Sequence, residues 1–106
     1  MTTQLQAILR ELRTRFERLY GERLVHMVLY GSQARGDAEP GSDIDMLVVL
    51  RGEVEPCAEI AATEFDVADL SLEHDVSIVC VFVSEEEYRG GGSPLMLNVR
   101  REGVAV

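Results

Sequence analysis

The sequence predicts an α/β (α+β) domain, a small sheet with flanking helices, and three observations predict it. Apolar residues recur at helical spacing in two long segments, three short runs are apolar almost without a break, and turn-forming residues stand between them. From the N-terminus, Leu5, Leu9, Leu12, Phe16 and Leu19 repeat every three or four residues with Arg and Glu between them, one apolar helical stripe that Gly21 ends. LVHMVLY, Leu24 to Tyr30, is apolar nearly throughout and too short for a free helix, as expected of a strand covered on both faces. Gly31 follows it directly, and SQAR can open a short helical turn. MLVVL, Met46 to Leu50, repeats the strand pattern, with Gly52 and Pro56 marking its exit. Between Glu55 and Leu72 the positions Ala61, Phe65, Ala68 and Leu72 form a second stripe, predicted to face the core, with Glu59, Thr63, Asp66 and Glu73 predicted to face water. VSIVCVFV, Val76 to Val83, is the third strand. SEEEYRGGGS reads as an irregular polar stretch broken by Gly90, Gly91 and Gly92. Ser93 and Pro94 then start a last short helix, Leu95 to Arg101, that Gly103 stops.

No internal repeat or change of composition divides residues 1–106, which read as a single domain. A chain of 106 residues, 46% hydrophobic and 27% charged, builds one core and has little room for a second. It has no apolar run long enough to span a bilayer, and its first twenty residues are amphipathic rather than leader-like, so a soluble, cytoplasmic protein is expected. The net charge of −9 argues against a direct grip on nucleic acid, which depends on clustered Lys and Arg; a polyanion can still be bound through metal ions. Cys57 and Cys80 match no paired-ligand spacing, and Cys80 reads as a small buried hydrophobe. His26, inside an apolar strand, reads as a hydrogen-bonded core residue.

The chemistry concentrates in GSQARGDAEPGSDIDMLVVL, Gly31 to Leu50. Asp43 and Asp45 alternate at the mouth of a strand, so they share one face while Ile44 turns to the other. Two full charges about 4 to 5 Å apart repel by roughly 3 to 4 kcal/mol at an effective dielectric near 20, so a cation is expected between them. Gly31 lets backbone approach a ligand closely, a helix start presents free N–H groups, Ser32 adds a hydroxyl and Arg35 a nearby cation, a set that suits phosphate. Pro40, Gly41, Ser42 and Asp43 all favour a turn. A calcium-loop reading fails, because DIDMLVVL puts apolar residues where that loop needs its glycine and later acids.

Strand, Gly-Ser, short helical turn and Asp-x-Asp on the next strand resembles the DNA polymerase beta-like nucleotidyltransferases. GSQARG followed by SDIDMLVVL is similar to their minimal single-domain members. The resemblance implies a small mixed sheet, a phosphate site at Gly31 and Ser32 with Arg35 and Ser42 beside it, and two magnesium ions, or manganese, held by Asp43 and Asp45. It also implies a third carboxylate on a neighbouring strand. Of Asp66, Asp69, Glu73 and Asp75, only Asp75 is expected to begin the third strand and to approach the pair. The implied activity is transfer of a nucleoside monophosphate, AMP from ATP or its counterpart from another triphosphate, to an acceptor hydroxyl. The implied partner is a HEPN-type protein in a toxin–antitoxin pair, in a homo- or hetero-oligomer. Two alternatives stay open: an antitoxin that acts by occlusion, and a transferase acting on a small molecule such as an aminoglycoside. The last helix, with Leu95 and Val99 on one side and Arg100 and Arg101 beside them, is expected to pack on the sheet and border the docking surface.

Overall fold

The computed structural model describes Met1–Val106 and alternates helices with strands. Helix α1, Thr3–Tyr20, begins where the Thr2 hydroxyl accepts the Leu5 N–H at 3.1 Å. A 3₁₀ turn over Gly21–Arg23 leads into strand β1, Leu24–Tyr30. There follow the single-turn helix α2 (Ser32–Arg35), strand β2 (Ile44–Leu50), helix α3 (Pro56–His74) and strand β3 (Ile78–Ser84). Helices α4 (Glu85–Gly90) and α5 (Pro94–Glu102) and the short strand β4 (Val104–Ala105) complete the chain. The sheet runs β3-β2-β1-β4 and is mixed: β1 pairs antiparallel with β2 and β4, whereas β2 and β3 are parallel. No helix is long and apolar enough to cross a membrane.

Alternation along β2 divides the interior into two cores. Ile44, Met46, Val48 and Leu50 face α1 and α3 and join Leu12, Phe16, Met27, Leu29 and Leu70. Leu47 and Val49 face the other way, onto Met96 and Val99 of α5 with Val28 and Val83. Both faces of β2 are therefore covered, which is why its sequence is apolar without a break. The polar stretch after β3 is not irregular: the Ser84 hydroxyl accepts the Glu87 N–H at 3.1 Å and starts α4, whose first turn carries three glutamates. Gly90 is helical and the break comes at Gly91.

Helix α3 is rotated half a turn from the predicted stripe. Phe65 is 78% exposed and Leu72 84%, while Glu59 is 8% and Thr63 2% exposed. Specific polar contacts make the inversion possible. The Tyr20 hydroxyl donates to Glu59 at 3.0 Å, Arg23 lies 3.7 Å from the same carboxylate, and the Thr63 hydroxyl donates to the Glu59 carbonyl at 2.9 Å. On the rim, Arg15 of α1 reaches Asp66 at 3.2 Å and Asp69 at 2.7 Å. Buried polar groups that find partners cost little, and here they also tie α3 to α1. His26 is likewise not a core residue: a register irregularity between Leu24 and His26 turns it outward, its ring 5.3 Å from that of Tyr88. Cys80 is partly buried against the α1/α3 core, and burial pushes its thiol up to about 12.

The two aromatic positions separate these packings. Phe16→Ala, in the filled core, is expected to cost about 3 to 5 kcal/mol, whereas Phe65→Ser should stay within about 0.5 kcal/mol of the parent in urea unfolding. An equal loss at both positions would mean that α3 faces the core with its apolar stripe.

Candidate active site

The phosphate-suited turn and the aspartates meet because β1 and β2 pair in one register. Tyr30 at the end of β1 lies opposite Asp45, so Gly31, the next residue, passes directly over the Asp45 carboxylate. Gly31 has φ +78, and a Cβ built there would stand 2.5 Å from Asp45 Oδ2. Any larger residue must displace that carboxylate or distort the turn. Beyond Gly31 the chain closes one helical turn: the amides of Ala34 and Arg35 donate to the Gly31 carbonyl at 3.1 Å each, and Gly36, at φ +83, donates to Ser32 at 3.0 Å. The amides of Ser32 and Gln33 open this turn and have no carbonyl of the same helix behind them. Together with the Ser32 hydroxyl they sit at the end of the sheet that carries the pair.

Ile44 is buried in the α1/α3 core, so Asp43 and Asp45 project from the opposite face. The Asp45 carboxyl is raised above the usual carboxylate range, first by burial and then by the charge of Asp43, with Arg35 acting against both. Tyr30 is raised by burial and by Asp45. Arg35 makes two ion pairs, through Nε with Asp37 at 3.2 Å and through Nη1 with Glu102 at 3.0 Å. Glu102 also accepts the Gly31 N–H at 3.2 Å, and its carboxyl is held below the usual range by the Arg35 hydrogen bond foremost, with Gly31 assisting. Sequence reasoning named neither Tyr30 nor Glu102, because both become site residues only through strand pairing and the return of α5. Ser42 builds the preceding turn: its hydroxyl accepts the Glu39 N–H at 3.0 Å and its carbonyl accepts the Gln33 side chain at 3.3 Å.

Asp75 does not begin the third strand. It caps the C-terminus of α3 with φ 52 and ψ 53, a left-handed conformation that aspartate tolerates, and β3 starts three residues later. There it borders an open cleft of about 610 Å³ shared with Gln33, Ser42 and Ser77. The β3 residue opposite Asp45 is Val79, and Asp66 and Asp69 are engaged by Arg15. No three His, Cys, Asp or Glu side chains are gathered closely enough to hold a metal ion, so Asp43, Asp45 and Asp75 do not form one cluster. The remaining pair still fits a hard divalent cation, since magnesium commonly rests on one or two carboxylates and completes its shell with water and substrate phosphates.

The raised Asp45 carboxyl fixes the sign of a pH effect. The folded chain holds this proton more tightly than the unfolded chain, so its contribution to stability is present at low pH and is lost as pH rises through the raised value. In chelator, Asp45→Asn should remove that part of the slope and raise the neutral-pH Tm on the order of a few degrees. Thermal melts across the acid range test this, and a variant melting well below the parent would show that the charged pair holds the fold.

Comparison with known proteins gives this arrangement its family. A sequence model of the nucleotidyltransferase domain matches residues 9–93. None of the curated proteins compared matches the chain. Among solved structures, a toxin–antitoxin with AMP-PNP is similar at 20% identity and TM-score 0.63, covering 89% of this chain and 68% of that one. A minimal nucleotidyltransferase is similar at 22% identity and TM-score 0.59, covering 96% and 95%. A tri-AMPylated Shewanella oneidensis HEPN toxin in complex with an MNT antitoxin is similar at 17% identity and TM-score 0.55, covering 92% and 70%. The matched residues run from α1 through both strands of the site to the start of α5, and the chain belongs to the nucleotidyltransferase domain family.

Proposed function

We propose that this domain transfers AMP from ATP to a hydroxyl of a HEPN-type partner protein, as the antitoxin of a toxin–antitoxin pair. The observation that carries the reading is the passage of Gly31 over Asp45, which sets a phosphate-suited turn against a carboxylate pair. In this reading the Ser32 hydroxyl and the amides of Ser32 and Gln33 receive the triphosphate, and Arg35 offsets its charge. Asp43 and Asp45 would hold magnesium or manganese. Such an ion neutralises charge on the phosphates and lowers the pKa of an attacking hydroxyl. Two carboxylates with Val79 rather than an acid beside them support one firmly held ion.

Two observations support a protein acceptor. Solved complexes of similar fold include a tri-AMPylated HEPN toxin. The inverted α3 also leaves Phe65 and Leu72 exposed, with Ala61 and Ala68, in an apolar band flanked by Glu64 and Glu73, on a chain of net charge −9, a surface that suits a basic helical partner. Helix α5 suits it less than its sequence implies, because Met96 and Val99 are buried against the sheet. The absence of a third acid beside the pair favours occlusion as the second reading.

Mixing the protein with the product of the adjacent gene, ATP and magnesium, and weighing that product by mass spectrometry, tests the proposal. Added AMP masses that vanish with Asp43→Asn are expected. A tight complex without added mass supports occlusion, and neither complex nor modification supports a small-molecule acceptor. Phe65→Glu is expected to weaken the complex on the order of tenfold or more without unfolding the domain. Gly31→Ala should cost about 1 to 3 kcal/mol of stability and abolish ATP binding in calorimetry; binding equal to the parent would place the nucleotide elsewhere.

A further inference from the structure

We infer that Glu102 is a positioning residue, which from the end of α5 fixes the Gly31 backbone and the Arg35 guanidinium in one geometry and so preforms the phosphate-binding turn. The inference rests on reading Gly31 to Arg35 as the phosphate site. One carboxylate makes three contacts: Oε1 accepts the Gly31 N–H at 3.2 Å, and Arg35 Nη1 donates to Oε1 at 3.2 Å and to Oε2 at 3.0 Å. These ties join the turn to a residue 71 positions away in the sequence, so they act as a tertiary strut rather than as local turn chemistry.

The strut is itself anchored on both sides. Ahead of Glu102, Met96 and Val99 are buried in the α5 core. Behind it, Gly103 packs so closely on Val28 and the Val99 carbonyl that a side chain there would overlap both, and Val104 pairs with Leu29 of β1. The backbone at Glu102 is therefore fixed by α5 and β4, and its carboxylate is held by Gly31 and Arg35 themselves.

The contacts also decide what the turn can offer an anion. The Gly31 N–H is consumed, so the donors that remain are the next two amides and the Ser32 hydroxyl. Arg35 is held through Nε by Asp37 and through Nη1 by Glu102, while its Nη2 makes no hydrogen bond within the chain. A guanidinium fixed on two sides with one nitrogen free is preorganised for a phosphate oxygen, and less side-chain freedom is lost when that oxygen arrives. A carboxylate that merely blocked the site would compete with phosphate for the free donors; this one occupies the donors next to them.

The test compares the parent with Glu102→Ala and Glu102→Gln by amide hydrogen exchange without nucleotide and by calorimetry with magnesium and AMP-PNP. Glu102→Ala should speed exchange at the Gly31 amide on the order of tenfold or more, leave the β2 amides unchanged, and weaken AMP-PNP on the order of tenfold. Glu102→Gln keeps an acceptor for Gly31 but removes the ion pair. It should exchange close to the parent at Gly31, show a shifted Arg35 Nη1–H resonance, and bind AMP-PNP at an intermediate level. If Glu102→Ala does not fold, the Gln variant decides alone, and a parent-like Arg35 resonance with parent-like binding overturns the inference. Unchanged exchange at Gly31 in a folded Ala variant overturns it, as does tighter AMP-PNP binding, which would make Glu102 a competitor of phosphate. Parent protein that binds no AMP-PNP defeats the nucleotide reading instead, while the exchange measurements still decide whether Glu102 positions the turn.

Discussion

The close approach of Gly31 to Asp45 is the constraint on which the rest of the site depends. It requires the antiparallel register that sets Tyr30 against Asp45, a left-handed backbone at the first residue after the strand, and the absence of a side chain there. Each condition is met by a different level of the structure: two covered strands, a turn glycine, and a helix that begins at once. The close approach brings together what water would keep apart, a cluster of amide donors and a pair of repelling carboxylates. Neither is comfortable alone, since the donors lack acceptors and the acids lack a counter-ion. In the proposed reading, a phosphate chelated to a divalent cation would relieve both together.

The second organising feature is the polar seam between α1 and α3. A helix usually buries its apolar stripe, and α3 instead buries a glutamate and a threonine. Glu59 is satisfied by Tyr20 and Arg23, and Arg15 spans Asp66 and Asp69, so the seam is hydrogen-bonded along its length. Such a seam contributes less free energy than an apolar one of equal area, but it fixes the rotation of α3, because a helix turned by half would leave Tyr20 without its acceptor and Arg15 with only Glu11 of its own helix.

Much of this was legible in the sequence, and the failures share a cause. The helix of Leu5 to Leu19, the three long strands, the Gly31 turn and the shared face of Asp43 and Asp45 follow from short-range periodicity, which local geometry enforces. The rotation of α3, the outward turn of His26 and the place of Asp75 depend on which partner each residue meets, and no local pattern encodes that. Asp75 looked like the first residue of a strand because VSIV is apolar, yet the helix runs to His74 and needs a left-handed residue to end. Tyr30 and Glu102 were invisible for the same reason: both enter the site through pairings with distant residues.

The sheet order places β3 at one end with no strand on its outer side. Alternate residues of this seven-residue strand point their backbone donors and acceptors away from β2, and Val79, Cys80 and Val81 are apolar. This is the geometry by which one sheet can extend into another, and edge-to-edge association is the hazard it carries. The short β4 at the other end gives far less purchase. No proline or lysine interrupts β3, so the protection left to the chain is its overall charge of −9. Mutual repulsion opposes such association at neutral pH and fades toward the isoelectric point near 4.6, where colloidal stability rests on whatever else covers that edge.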